Sequence, residues 1–285
     1  MEKKIFLLCF IVLVLAVNPR AMAFGVEVRA FVSVAPQAYF VERVGGRFIE
    51  VEELVAPGRS PTTYEPTPKQ IARLAEADVY FRIGVPFEHG FIDKLGGINP
   101  ELKIVDTRKN VPLRFFNASA GGEAPDPHIW LDPKRVKIQA ATICEALCGI
   151  LDERCSDFRR NLDLFQQDLD EIDREISEIL GPLRGRSFYV FHPAFGYFGD
   201  SYGLNQVAVE MEGKEPGPRQ LSNLIEQAEK DGVYTMFVQP QFARGQAETF
   251  ARAIGANVVP LDPLARDYLA NLKLMAEALR EALFK

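Results

Sequence analysis

The longest helical pattern in the chain is residues 156–183, which read SDFRRNLDLFQQDLDEIDREISEILGPL. Apolar side chains recur in it at alternating spacings of four and three residues, which places them on one narrow stripe of a charged helix. The stripe consists of Phe158, Leu162, Phe165, Leu169, Ile172, Ile176 and Ile179. A helix of about 25 residues is about 40 Å long. We therefore expect a rigid strut that joins two parts of the protein.

Strand-like and helical segments alternate on both sides of this strut. The predicted strands are residues 26–34, 48–55, 79–83, 103–105, 188–191, 206–209, 234–238 and 257–259. Alternation at this pitch is typical of βα units on a parallel sheet. The predicted fold class is therefore α/β, with two Rossmann-like lobes that contain parallel sheets and are bridged by one long rigid helix.

Composition narrows the range of partners. The chain has 285 residues with 33 basic and 39 acidic side chains, a net charge of −6, which argues against nucleic acid as a partner. It is long enough to bury a sizeable core. Histidine occurs only at positions 89, 128 and 192, so a site that needs imidazole has few candidates.

The N-terminus has the features of a secretory signal. Lys3 and Lys4 precede an apolar run over residues 5–17, and the small-residue pattern Ala21-Met22-Ala23 predicts cleavage before Phe24. The run is shorter than the roughly 20 residues that a transmembrane helix needs. We therefore predict a periplasmic protein exported through a cleavable signal peptide. The expected organisation is a signal peptide, an N-terminal lobe, a linking helix and a C-terminal lobe, at residues 1–23, 24–155, 156–184 and 185–285.

Three cysteines remain after the predicted cleavage. Cys148 and Cys155 flank a break between two helical patterns, so they could close a short loop through a disulfide, which an exported protein can form. Cys144 would then be the odd thiol. The three cysteines lack the paired C-x2-C spacing of a zinc site. Core packing or a disulfide is therefore the preferred interpretation.

Candidate metal ligands follow the predicted strands. His192 comes directly after the strand at 188–191, and Asp262 follows the strand at 257–259. His128 precedes a predicted helix, and a further loop over residues 56–66 follows the strand at 48–55. In open parallel sheets, ligands bind outside the carboxyl ends of the strands. Two imidazoles and a carboxylate suit Zn²⁺ first, and Mn²⁺ or Fe²⁺ less well.

Four ordered segments resemble the ligand segments of the zinc/manganese solute-binding proteins of ABC importers, the cluster A-I type. They are PGRSPTTYEPTP at 57–68, DPHIWLDP at 126–133, FHPAFGYF at 191–198 and LDPL at 261–264. The resemblance implies a metal site in the cleft between two lobes, with His128, His192 and Asp262 as ligands. It also implies a protein without catalytic activity, expected to be a monomer, that captures a divalent metal and delivers it to a membrane permease.

One position departs from the family pattern. The family usually has histidine after Ser-Pro in the first segment, where this chain has Thr62. A neutral hydroxyl is a poor zinc ligand, so another group is expected in the vacated position. Water is the simplest choice, Glu65 could turn inward, and His89 could be recruited if its helix faces the cleft.

Metal identity and function leave alternatives open. In the family, histidine at the position of His192 accompanies zinc sites, so Zn²⁺ is the expected transported ligand and Mn²⁺ the alternative. The departure at Thr62 keeps open a binding protein of the same fold for another metal or solute, or an adhesin. An exported zinc hydrolase with Glu65 as general base is a weaker alternative, because no H-E-x-x-H motif is present.

Overall fold

The computed structural model describes residues 25–116, 124–210, 217–242 and 244–284. The predicted signal peptide, residues 1–23, lies outside the described residues. Within those ranges, none of the helices combines the length and the apolar character that crossing a membrane requires.

The first lobe is a four-stranded parallel sheet with helices. Its strands are β1 (Val28–Val32), β2 (Ile49–Glu53), β3 (Val79–Arg82) and β4 (Lys103–Asp106), in the spatial order β2-β1-β3-β4. Its helices are α1 (Ala35–Gly45), α2 (Pro68–Leu74) and α3 (Glu88–Ile98). β1 and β3 pair in parallel in the centre, and their apolar residues are almost completely buried. A parallel sheet covered by helices explains why most residues of these two strands are apolar.

The second lobe repeats this topology. Its strands are β5 (Ser187–Val190), β6 (Asn205–Ala208), β7 (Thr235–Val238) and β8 (Asn257–Pro260), in the order β6-β5-β7-β8. Its helices are α6 (Gly196–Tyr202), α7 (Pro218–Lys230), α8 (Arg244–Ala253) and α9 (Tyr268–Leu283). All described strand pairs in both sheets are parallel. The predicted α/β class with two parallel sheets is confirmed.

Two helices join the lobes. Helix α4 (Pro133–Cys148) is capped by Asp132, whose side chain accepts a hydrogen bond from the backbone N–H of Lys134 at 3.0 Å. Helix α5 (Cys155–Leu180) follows and is 26 residues long. Cys148 and Cys155 form a disulfide between them, whereas Cys144 is a buried free thiol. The disulfide that the spacing allowed is therefore present.

The predicted stripe of α5 is the side on which both lobes pack. Its buried members are Phe158, Phe165, Leu169, Ile172 and Ile176, and Leu180 extends the same face. One hydrophobic core runs from the first sheet through α4 and α5 to the inner side of the second sheet. A separate, smaller core lies in the second lobe. Because the lobes share the larger core, hinge motion between them has to slide or break packed surfaces.

The last helix returns to the first lobe. Tyr268 of α9 makes an edge contact with Phe40 of α1, with ring centroids 4.8 Å apart. Arg266, just before α9, binds Glu42 at 2.5 Å and Glu53 at 2.6 Å. Helix α9 also packs along α5. The predicted domain ranges 24–155, 156–184 and 185–285 stay a prediction. Helix α9, which lies in the last range, contacts helices of the other two ranges.

Candidate metal centre

A cavity of about 500 Å³ lies where the two lobes face each other. Its wall includes residues that follow β2, β3 and β4 in the first lobe and β5, β7 and β8 in the second. The carboxyl ends of both sheets therefore meet at one cleft, as expected for parallel α/β lobes. His128 and His192 both line this cavity.

His128 is held by a carboxylate two residues upstream. It precedes a short 3-10 turn over Ile129–Leu131 and is only 8% exposed. Its Nδ1 lies 2.7 Å from Oδ1 of Asp126, which also accepts the His128 backbone N–H at 3.0 Å. The ring packs beside Trp130, whose indole N–H donates to the carbonyl of Pro263 at 2.8 Å. The imidazole of His128 is thus fixed by contacts that include the second lobe.

His192 is held by a carboxylate that is distant in sequence. Its Nδ1 lies 2.8 Å from Oε2 of Glu210, a buried residue just after β6. Gln239 accepts the His192 backbone N–H and donates to its carbonyl, at 3.1 and 2.7 Å. The ring stacks on Phe242 at 4.6 Å between centroids. Burial lowers the pKa of His192, while the hydrogen bond to Glu210 opposes that shift.

The two histidine rings converge from different lobes. Their centroids are 5.3 Å apart and their planes cross at 73°. Because a carboxylate can only accept, each Nδ1 carries the proton that bonds to Asp126 or Glu210. The Nε2 atoms are then the ring nitrogens left for a ligand. Histidine that donates one N–H to a carboxylate and binds a metal through the other nitrogen is a common arrangement in metal sites.

Asp262 lies directly behind the cavity wall. Its Oδ1 accepts hydrogen bonds from Nε2 of Gln241 at 2.6 Å and from the backbone N–H of Leu264 at 2.9 Å. Gln241, Pro263 and Leu264 line the cavity, and Asp262 itself is half-buried. The third predicted ligand is therefore adjacent to the cavity and held by a residue of its wall.

The additional candidates differ in whether they line the cavity. Thr62 and His89 both line the cavity and are both exposed. Glu65 is exposed and does not line it. Over the described ranges, no group of three or more His, Cys, Asp or Glu side chains forms a ready metal cluster. The ligand set His128, His192 and Asp262, with Thr62, Glu65 and His89 as further candidates, therefore stays a prediction.

Several supporting residues escaped sequence reasoning. Asp126 lies in the DPHIWLDP segment, where the sequence does not distinguish it from an ordinary loop carboxylate, and Glu210 has no signal beyond its position after a strand. Tyr197 of α6 accepts the backbone N–H of Arg114 at 2.7 Å and donates to the carbonyl of Asp126 at 3.0 Å. Arg114 also binds Asp200 of α6 at 3.1 Å. The loop that carries His128 is thereby tied to the second lobe.

Comparisons with known proteins agree with this architecture. The family model described as "ZnuA: Zinc-uptake complex component A periplasmic" matches residues 31–282. A protein of Chlamydia muridarum, whose name assigns it a provisional metal-binding role, is 30% identical over 259 residues, which cover 88% of this chain and 90% of the relative.

Two solved structures are also similar. A crystal structure of ZnuA is 38% identical, has a TM-score of 0.85, and is matched over 90% of this chain and 99% of its own. A zinc-bound deletion mutant of ZnuA is 37% identical, with a TM-score of 0.86 and coverage of 90% and 98%. The matched family consists of solute-binding proteins of metal transport and is not an enzyme family. The chain belongs to the family of periplasmic A components of zinc-uptake complexes, the zinc/manganese solute-binding proteins of the cluster A-I type.

Proposed function

We propose that this protein captures Zn²⁺ outside the cytoplasm and delivers it to the membrane permease of an ABC importer. The observation that carries the proposal is the histidine pair. His128 and His192 come from different lobes, and their ring centroids are 5.3 Å apart. The Nδ1 atom of each ring is held by a buried carboxylate. This arrangement prepares two neutral imidazoles to bind a metal through Nε2.

Asp262 is the proposed third ligand. Its Oδ1 is held by Gln241 and Leu264, so the carboxylate has to turn toward the cavity, or share Oδ2, when metal arrives. Two neutral imidazoles and one carboxylate would leave a net charge of +1 on bound Zn²⁺. This mixed nitrogen and oxygen set suits a borderline-soft ion.

Mn²⁺ is the second candidate. The exposed hydroxyl of Thr62 on the cavity wall replaces an imidazole with an oxygen, and oxygen donors favour Mn²⁺ relative to Zn²⁺. The alternative of an exported zinc hydrolase gains no support. Glu65, its proposed general base, is exposed and away from the cavity wall.

The route of the metal follows from the same proposal. A cleavable signal over residues 1–23 would export the chain to the periplasm. The protein would act as a monomer, and the cleft-side faces of both lobes would contact the permease. Only modest movement of the lobes is expected on release, because α5 and the shared core restrict hinge opening.

Metal analysis of the purified protein tests the proposal. Protein prepared without chelator should carry close to one zinc per chain, measured by inductively coupled plasma mass spectrometry. It should bind Zn²⁺ more tightly than about 1 μM, equivalent to roughly −8 kcal/mol. His192→Ala should lose this binding. Tyr234→Ala, which changes an exposed side chain directly before β7, should retain it. Binding weaker than that limit in the unmutated protein would contradict zinc capture.

A further inference from the structure

The cavity between the lobes is larger than a single ion requires. Its volume of about 500 Å³ lies within the roughly 300–1,000 Å³ of sites that hold small organic molecules. Much of its wall is apolar, including Val85, Pro86, Phe116, Trp130, Phe242 and Leu264. A mostly apolar wall with a few polar groups is also typical of small-molecule sites. The dimensions therefore leave room for a small molecule beside the metal.

The chain offers too few donors for a complete zinc shell. Zinc in proteins is usually four-coordinate. His128 and His192 supply two nitrogens at the cavity wall, and Asp262 lies just behind it. Thr62, at the position where the family usually has histidine, provides only a neutral, exposed hydroxyl. At least one coordination position is thus left to a group that these residues do not provide.

The positively charged side chain of Arg108 lies on the same cavity wall. Arg108 binds Asp106 through Nε at 2.9 Å and Nη2 at 2.6 Å, and its side chain is 21% exposed. Within the described part of the chain, its Nη1 makes no hydrogen bond. Gly84, with φ of +89°, lies against Arg108, and a Cβ there would overlap the guanidinium. Arg108 is therefore held in place while one of its N–H groups remains available.

We propose that the metal is captured as a complex with a small organic anion, an amino- or hydroxycarboxylate. One donor of this chelator completes the coordination by His128, His192 and Asp262, and a second carboxylate meets Arg108. Guanidinium is well suited to bind a carboxylate. The negative charge of the chelator also offsets the net +1 of zinc bound to two neutral imidazoles and one carboxylate. This inference rests on the proposed function, since it concerns the same site.

Equilibrium dialysis with doubly labelled solutes tests the inference. The protein is dialysed against radioactive zinc together with carbon-labelled citrate or L-histidine, and against each carboxylate without zinc. We expect the carboxylate to be retained only with zinc, at one molecule per bound ion. Citrate or L-histidine should also lower the free zinc needed for half-saturation by roughly tenfold.

Two variants separate the chelator from the metal. Arg108→Gln should retain zinc but lose most of the retained carboxylate, whereas Arg73→Gln, at an arginine that pairs with Glu52 outside the cavity wall, should retain both. Thr62→His supplies an imidazole from the chain and should bind zinc without carboxylate. Circular dichroism and thermal unfolding show whether each variant is folded.

The outcomes are distinct. If the unmutated protein retains zinc with neither carboxylate, or if both compounds strip zinc from it, the chelator inference is wrong and zinc capture stands. If zinc is retained under none of the conditions, both proposals are wrong. Co-retention that Arg108→Gln leaves intact would also overturn the inference as argued, because the carboxylate would then bind elsewhere.

Discussion

Two of the segments that the first lobe contributes to the cleft, those of His128 and Thr62, differ in how they are built. His128 is 8% exposed and is bound by Asp126, Trp130 and, through Tyr197, by the second lobe. Thr62 is exposed, and its backbone N–H donates to the side-chain oxygen of Ser60 at 3.3 Å. An imidazole built into packed structure cannot be lost without damage to its surroundings. A residue on an exposed loop can be exchanged with little cost to the fold, which explains how this chain has Thr62 there.

Removing the side chain of His128 or of Thr62 should give the largest difference in zinc affinity between the two positions. His128→Ala deletes a proposed ligand together with the ring N–H that Asp126 accepts, so zinc affinity should fall by more than about 100-fold. Thr62→Ala should change it by less than about threefold, because no ligand is lost. Competition with a chromophoric zinc chelator measures both. Equal losses in the two variants would show that Thr62 is itself a ligand.

Removing the charge of the supporting carboxylates tests whether support matters as much as the ligand. Asp126→Asn and Glu210→Gln keep the shape of each side chain but weaken the hold on Nδ1 of His128 and His192. Loss of such partners typically costs about 10–100-fold in metal affinity. Glu226→Gln, an exposed acid on α7, is the matched control and should bind normally. Normal binding by both test variants would contradict a role for the carboxylates.

The pH dependence of zinc affinity tests the environment of His192 in the second lobe. Zinc competes with the proton for His192, whose pKa is lowered by burial, so affinity should hold down to the ordinary value of about 6.5 and fall below it. In the metal-free protein the unfolded state binds more protons in this window, so stability should also decrease as pH falls.

Glu210→Gln provides the check on this cause. The hydrogen bond to Glu210 raises the pKa of His192, so its loss should move the fall in affinity to still lower pH. Zinc titrations between about pH 7.5 and about pH 5 follow both proteins. If zinc affinity of the unmutated protein begins to fall above neutral pH, the lowered pKa of His192 does not control zinc binding.

The smallest effect is expected at the link between the lobes. Tyr197→Phe removes the hydrogen bonds to Arg114 and Asp126, which should reduce the free energy of unfolding by about 1–2 kcal/mol. Zinc affinity should change by less than about threefold, since the ring and its packing remain. Urea denaturation measures the first quantity, with Tyr234→Phe at an exposed position as control. A large loss of affinity at unchanged stability would make Tyr197 part of the site rather than a support for it.

The fold was accessible from the sequence because it is encoded in local periodicity. The apolar stripe of α5, the alternation of strands and helices, and the short loop closed by Cys148 and Cys155 are all patterns over a few residues. The arrangement of His128 and His192 at one cleft followed from the rule that parallel strands present their carboxyl ends on one edge.

The supporting contacts were not accessible in this way. Glu210 reaches His192 from 18 residues away, Gln241 reaches Asp262 from 21 residues away, and Tyr197 crosses between lobes. Such pairings depend on how β5 to β8 and α6 are stacked and on side-chain rotamers. The sequence alone does not specify the distances between these side chains.

Local sequence patterns therefore predict the two parallel sheets, the rigid helix between them and the histidines that face the cleft. Hydrophobic periodicity is enough to determine which surfaces must be buried. The folded chain is needed to show which atoms of those histidines are available, where Asp262 lies relative to the cavity, and that Arg108 lines the same cavity. The reason is that hydrogen bonds and cavity shape depend on distances of a few tenths of an ångström between residues far apart in the chain.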